Sequence, residues 1–385
     1  MLRMRSAAAV AALAPVLAVT GAGTPAMARQ AVPGDPGHRH HVTLIAHVSP
    51  RAFRVVVSSH FGEPQNASGY SAIVVTGRRE AWVFGGTNPG GPGVPVAERW
   101  NGVALVRSAL PAGLGGFISD ASAPSASDIW AASEYGGYVL HWNGTRWRIA
   151  MRPGGGLITG LTAISATDVW VFGAAAGGEG TGTWHFDGQS WRRVSGLAGA
   201  IYRASAISRH DIWAIAADPK SGSVLRYNGR RWRPVHTGGA LAGVVTTDIL
   251  ATSPRDVWVL GDEVSSRTVR LVLAHWNGAR WTRTTAAVRA FAGRLSPGSH
   301  GSVLVTATAA RAAGAGLILQ ASAAGWRRAT AIQSGLGSGV SAVAVFRGSG
   351  LLLASGGVLT RLGSNAVVWE GQLTPPAGRR AYDHT

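Results

Sequence analysis

The feature that most restricts what this chain can fold into is a phrase that repeats along it. ISATDVWVFG at 164–173 is followed by TWHFDGQSWRRV at 183–194. The same phrase returns as PSASDIWAAS with VLHWNGTRWRI, as AISRHDIWAIA with VLRYNGRRWRPV, and as TSPRDVWVLG with LAHWNGARWTRT. An earlier variant reads REAWVFGG and then AERWNGVALVR. The last large residue of each unit forms a column: Leu105, Trp147, Trp191, Trp232, Trp281, Trp326 and Trp369, at separations of 41 to 49 residues. The last two units lack the Asp-aliphatic-Trp element, yet GSVLVTATA at 301–309 and GLLLASGG at 350–357 fall where a strand is due.

A period of this length holding four short alternating segments implies propeller blades. The expected fold is therefore all-β: a β-propeller of seven four-stranded blades, with six or eight also compatible with the spacing. Each unit parses physically. A first strand of small residues, with Ala163, Ala206 and Ala251, suits the crowded centre of a ring. A tight turn follows, where Ser125, Ser165, Ser208 and Ser253 and the acids Asp128, Asp168, Asp211 and Asp256 supply short polar side chains that bond the local backbone. Trp130, Trp170, Trp213 and Trp258 on the second strand are large apolar bodies for packing between blades. Asn-Gly or Asp-Gly at 143–144, 187–188, 228–229 and 277–278 joins strand three to strand four.

Asp-Val-Trp-x-x-Gly followed by His-Trp-Asn-Gly-x-x-Trp resembles the propeller repeat of many secreted proteins of high-GC, actinobacterial type, over roughly residues 68 to 370. The layout is also similar to kelch-like and bacterial sensor propellers. The resemblance implies a fold and a general use, the binding of ligands or proteins. It does not specify a ligand, because function on such scaffolds lies in grafted sites.

Outside the repeats, Arg3 and Arg5, the apolar run from Ala7 to Val19, and Ala26-Met27-Ala28 read as a secretory signal over residues 1–28, cleaved after about Ala28. Residues 29–67 are expected to be a linker with N-terminal strands at 42–48 and 53–57. These either close the ring by pairing with the last blade or form a separate hairpin. The propeller is assigned to 68–373 and a disordered tail to 374–385. No later stretch is long and apolar enough to span a bilayer.

There is no cysteine, which excludes disulfides, thiolate metal sites and a cysteine nucleophile. The formal charge is +18, or +16 once Arg3 and Arg5 leave with the signal. Such an excess attracts polyanions. The expected partners are an extracellular polyanion, glycan or protein, with nucleic acid not expected as a physiological partner, no membrane span, and a monomeric protein secreted or held at the cell wall. No motif calls for a cofactor or a metal.

Several residue sets compete for a functional reading. Asp128, Asp168, Asp211 and Asp256 recur once per blade, and His141, His185 and His275 share another single register, so neither set can converge on one substrate. His38, His40 and His41 read as part of a linker. Arg107, Arg148, Arg192, Arg193, Arg233, Arg283, Arg327 and Arg328 follow the column aromatics and put charge on the outermost strands, where it blocks edge-to-edge association or forms a basic rim. The loops joining strands two and three vary most between blades, and recognition usually resides in such loops. They nominate Glu134, Tyr135, Glu179, Asp218, Lys220, Asp262, Glu263 and Arg267 as a ligand face, with no catalytic residue. The expected function is a secreted, non-catalytic binding module for a glycan, a wall polymer or a protein. The alternative is a carbohydrate-active hydrolase or lyase, which needs two convergent carboxylates.

Overall fold

The computed structural model describes residues 53–372, apart from 64, 89–92, 155, 175–180, 195–199, 217–222, 267, 300, 311–313, 333–335 and 347. The signal segment, the histidine tract, the strand expected at 42–48 and the tail lie outside the described residues. So do Glu179, Asp218, Lys220 and Arg267.

The described residues form seven four-stranded antiparallel sheets. Six are made by consecutive strands: β2 to β5 (Ser68–Val75, Ala81–Thr87, Pro95–Trp100, Leu105–Arg107), then β6 to β9 beginning at Ile118, β10 to β13 beginning at Leu157, and β14 to β17 beginning at Ile201. The fifth blade is β18 to β21 (Val244–Ser253, Asp256–Val264, Val269–Trp276, Trp281–Thr285) and the sixth is β22 to β25, beginning at Ala290. The seventh joins β26 (Ser338–Val345), β27 (Leu351–Leu359) and β28 (Ser364–Gln372) to β1 (Phe53–Ser59), in the order β1-β28-β27-β26. First strands of successive blades touch in turn, and that of the seventh returns to that of the first, so the blades form a closed seven-bladed β-propeller.

The seventh blade holds a surprise for the aromatic column. Trp369 stands on the third strand, pairing with Val55 of β1, whereas Trp147, Trp191, Trp232, Trp281 and Trp326 begin or open fourth strands. β1 supplies the fourth strand of this blade.

The tryptophan of each second strand packs forward onto the aromatics of the next blade. Trp130 meets Phe186 and Trp191 at 5.8 and 6.0 Å, Trp170 meets Tyr227 and Trp232 at 5.0 and 6.1 Å, and Trp213 meets Trp281 at 6.3 Å. At these junctions one buried ring removes a large apolar area from water and fixes the angle between blades.

The repeated acids do more than turn a corner. Serine caps the turn, as where Ser253 Oγ accepts the Arg255 amide at 3.2 Å. Asp128, Asp168 and Asp256 instead begin second strands and accept from the ring nitrogen of His141, His185 and His275 at 2.7, 2.9 and 2.7 Å. Each imidazole stacks on the tryptophan of its own blade, 3.7 to 4.3 Å between centroids. In the fourth blade Arg226 takes the histidine's place, forking onto Asp211 at 2.7 and 2.9 Å and lying 4.8 Å from the Trp213 centroid. Asp, His or Arg, and Trp form one clamp in each of the second to fifth blades, and its work is structural.

The hairpins are four-residue turns rather than two-residue ones. Asn143 Oδ1 accepts the amides of Thr145 and Arg146, and Asn228 Oδ1 those of Arg230 and Arg231, at 3.0 to 3.2 Å. Glycine follows because the next residue sits at φ near +90°, as Gly144 does at 92° and Gly229 at 87°.

Candidate functional site at the channel mouth

Every first strand carries a β-bulge near its start, with register shifts at Tyr70/Ala72, Ile118/Asp120, Ile158/Gly160, Ile201/Arg203, Thr246/Asp248, Ala292/Leu295 and Val340/Ala342. A bulge frees second-strand carbonyls from the ladder. Hydroxyls at the bulge answer them: Ser71 donates to Phe84 O, Ser119 to Ala132 O and Thr247 to Leu260 O at 3.3 to 3.4 Å.

Ala72, Asp120, Gly160, Arg203, Asp248 and Ala342 follow the bulge of their blades directly, and in the sixth blade, whose bulge is wider, Arg294 lies inside it, just before Leu295. The seven first strands contain only four charged residues, and all four stand at the bulge, Asp120, Arg203 and Asp248 directly after it and Arg294 within it. Their arrangement crosses the ring. Arg294 of the sixth blade reaches Asp120 of the second, Nη1 to Oδ1 at 3.5 Å, and donates from Nη2 to Ser119 O at 3.1 Å. Arg203 of the fourth blade approaches the other oxygen of Asp120 at 3.9 Å. It passes over Gly160 of the third blade, where a Cβ would stand 3.2 Å from Tyr202 O and 3.6 Å from the Arg203 guanidinium. The side chains of Asp120, Arg203 and Arg294 are only 16, 22 and 23 % exposed.

Acids also tie blades together by accepting amides at the free inner edge, which would otherwise face the channel unpaired. Asp120 Oδ2 accepts Leu161 N at 3.0 Å, Asp248 Oδ2 accepts Leu295 N at 2.7 Å, and Asp262 Oδ1 accepts Ala292 N at 2.9 Å. Burial raises the Asp248 carboxyl above the usual range and outweighs the pull of Arg294, Arg203 and two amides. Burial likewise raises Glu134, against the opposing fields of Arg203 and Arg294. Arg203 is held below its ordinary range by burial first and by Arg294 second.

Of the residues nominated from sequence, the structure brings Glu134 into the field of this cluster, with Tyr135 beside it and exposed. Glu134 N donates to Ser119 Oγ at 3.1 Å, which fastens the loop to the bulge. Asp262 and Glu263 lie within β19 rather than in a loop. Glu263 pairs with Arg283 at 2.9 Å, and Asp262 is buried. Sequence reasoning missed Asp120, Arg203, Asp248 and Arg294. The available signal was that they are the sole charges on first strands, each at the bulge near the strand's start. Among the described residues no group of three or more His, Asp or Glu side chains could hold a metal ion.

Asp262 gives a pH prediction. Burial, opposed by the Ala292 amide, pushes its carboxyl up to about 6. From about pH 4, where the unfolded chain releases this proton, to about pH 6 the folded state retains it, so its contribution is full at low pH and lost as pH rises through about 6. Asp262→Asn keeps the acceptor for Ala292 and removes the charge. The variant is expected to exceed the parent by about 2–3 kcal/mol in urea unfolding at about pH 7.5, with the gap closing toward about pH 4. Equal stabilities at the higher pH would contradict the assignment.

No protein-family model and no curated protein matches the chain in sequence. Solved structures match its fold. The structure described as "YCF48 bound to D1 peptide" is 12% identical with a TM-score of 0.57, over 88% of this chain and all of that one. "Crystal structure of RRP9 WD40 repeats" is 10% identical with a TM-score of 0.57, over 86% and 100%. "Structure of U3-55K" is 11% identical with a TM-score of 0.56, over 84% and 98%. At such identities the likeness speaks for the propeller fold alone.

Proposed function

We propose that this chain is a secreted, non-catalytic binding module that takes an extracellular ligand at the channel mouth, where the first strands begin. The observation that carries the reading is the gathering of every first-strand charge at the bulges, with Arg203 and Arg294 joined across the ring at Asp120. Glu134 and the exposed Tyr135 and Tyr202 lie at the same end of the blades. Guanidinium, carboxylate and phenol groups together suit a ligand bearing both charges and hydrogen-bonding groups, which favours a protein segment over a uniformly charged wall polymer or a neutral glycan. A similarly folded protein solved with a bound D1 peptide supports the choice. Secretion rests on the residues of the signal-like N-terminus.

The test is a combined peptide and glycan array probed with residues 29–385, followed by titration of the strongest hit. Tyr135→Ala with Tyr202→Ala should weaken that binding at least tenfold and leave the thermal midpoint unchanged. Undiminished binding would move the site elsewhere.

One observation favours the hydrolase alternative: burial raises the Glu134 carboxyl above its ordinary range against the fields of Arg203 and Arg294, with Asp120 nearby raising it too, a direction that suits a general acid. Release of reducing sugar from a wall or plant glycan, lost in Glu134→Gln, would establish that reading in place of the binding module.

A further inference from the structure

At the opposite end of the blades lie the turns between first and second strands and the four-residue hairpins. There the fourth and fifth blades present Arg209 and Arg255 on turns, and Arg230, Arg231 and Arg280 on hairpins, all exposed. Turn and hairpin meet within each blade. A Cβ on Gly229 would lie 2.3 Å from His210 Nδ1, and one on Gly278 would lie 2.7 Å from Arg255 Cγ, so the glycines let the basic turn residue lie down on the hairpin. The Trp213–Trp281 contact, with Trp281 directly following the fifth-blade hairpin, holds the two blades together near this end.

The acids of these two blades at this end are already engaged. Asp211 is forked by Arg226, and Asp256 accepts from His275 and Thr252. None of the five arginines has an acidic partner among the described residues, whereas Arg107, Arg192 and Arg283 on the outer strands are paired with Glu98, Asp187 and Glu263. Arginines without an acidic partner among the described residues stand on other blades too, but these two adjoining blades place five exposed ones on one face with no acid left over to pair them.

We infer that the turn-and-hairpin face of the fourth and fifth blades is a docking surface for a linear phosphate-bearing polymer. Planar guanidinium forks match phosphate oxygens in pairs, and five of them on two adjoining blades can engage successive phosphates of one flexible chain. Single-stranded nucleic acid fits less well, because base stacking needs exposed aromatic rings. The exposed Tyr135, Tyr202 and Phe291 all lie toward the channel mouth instead. A lipid surface fits less well too, since no large apolar side chain is exposed on these two turns or two hairpins. The inference is independent of what occupies the channel mouth.

The experiment uses residues 29–385 and long-chain inorganic polyphosphate as probe, with a mixed-sequence single-stranded oligonucleotide and phosphatidylglycerol vesicles in parallel. The test variant is Arg230→Gln/Arg231→Gln/Arg255→Gln/Arg280→Gln. Its fold should persist, because the hairpins are held by the backbone amides of these residues and not by their side chains. A control of equal charge loss, Arg78→Gln/Arg79→Gln/Arg148→Gln/Arg289→Gln, removes exposed arginines elsewhere. The expected result is polyphosphate binding that weakens steeply with salt, falls at least tenfold in the test variant, and falls less than threefold in the control. Equal losses in the two variants would reduce the effect to net charge and overturn the inference. So would tighter binding to the oligonucleotide or the vesicles than to polyphosphate, or no binding to polyphosphate at low salt.

Discussion

Asp120→Ala is expected to destabilise the propeller by about 3 kcal/mol, the order seen when one partner of a largely buried ion pair is removed. Two arginines converge on this carboxylate from the fourth and sixth blades, and its Oδ2 is also the acceptor for Leu161 N. Alanine leaves two largely buried guanidinium groups without their shared counter-charge and one amide without a partner. The pairing at 3.9 Å is the looser of the two, so most of the loss should come through Arg294 and the amide. Asp120→Asn keeps an oxygen for Leu161 and should lose less. The double variant Asp120→Ala/Arg294→Ala should recover part of the loss, because it also removes a stranded charge, and that recovery is the coupling between second and sixth blades. Chemical denaturation of the parent, Asp120→Ala, Arg294→Ala and the double variant measures it. Additive losses, with no recovery, would mean that the contact across the ring carries no energy.

The fold was legible because packing repeats. A blade cannot bury its own faces, so each unit needs a large second-strand residue and an aromatic to receive it, and Trp130 with Trp191 or Trp170 with Trp232 had to recur at a fixed period. The seventh blade was the hardest to read, since its fourth strand comes from the other end of the chain and Trp369 stands on the third strand. The clamp was half legible. Asp128 and His141 are plainly periodic, but their bond joins residues 13 apart across a ladder whose register no motif announces.

The channel mouth was hardly legible, for the opposite reason. Asp120, Arg203, Asp248 and Arg294 are not alike, so a search for repeated residues passes over them, and their shared position emerges only when the bulge is counted. Loop variability pointed to Glu134 and Tyr135, which do lie beside the cluster. It also pointed to Asp262 and Glu263, which belong to β19 because that strand runs three residues past Gly261 and pairs there with Val245 and Val244.

Deleting residues 1–59, and with them β1, should open the ring. Without β1 the seventh blade ends at β28, whose outer edge from Ala366 to Gly371 would present unpaired N–H and C=O groups to other chains. Phe53, Val56 and Val57 would no longer cover the clusters around Trp369 and Tyr70, and the pairing of Arg54 with Glu370 would be lost. At about 1–2 kcal/mol for each of these three partly buried side chains, the apolar loss alone comes to about 3–6 kcal/mol. The larger cost is topological: β1 is the strap by which the start of the chain holds its end, and in its absence the contact of β2 with β26 to β28 must hold the first and seventh blades together unaided. A deletion of residues 1–52 removes none of these contacts and serves as the control. The shorter deletion should unfold near the midpoint of the chain starting at residue 29. The longer one should fall by more than about 5 °C or accumulate as oligomers, and a peptide of residues 51–60 added in excess should restore part of the difference. A full-strength monomeric ring lacking β1 would show instead that inner-strand contacts suffice to close it.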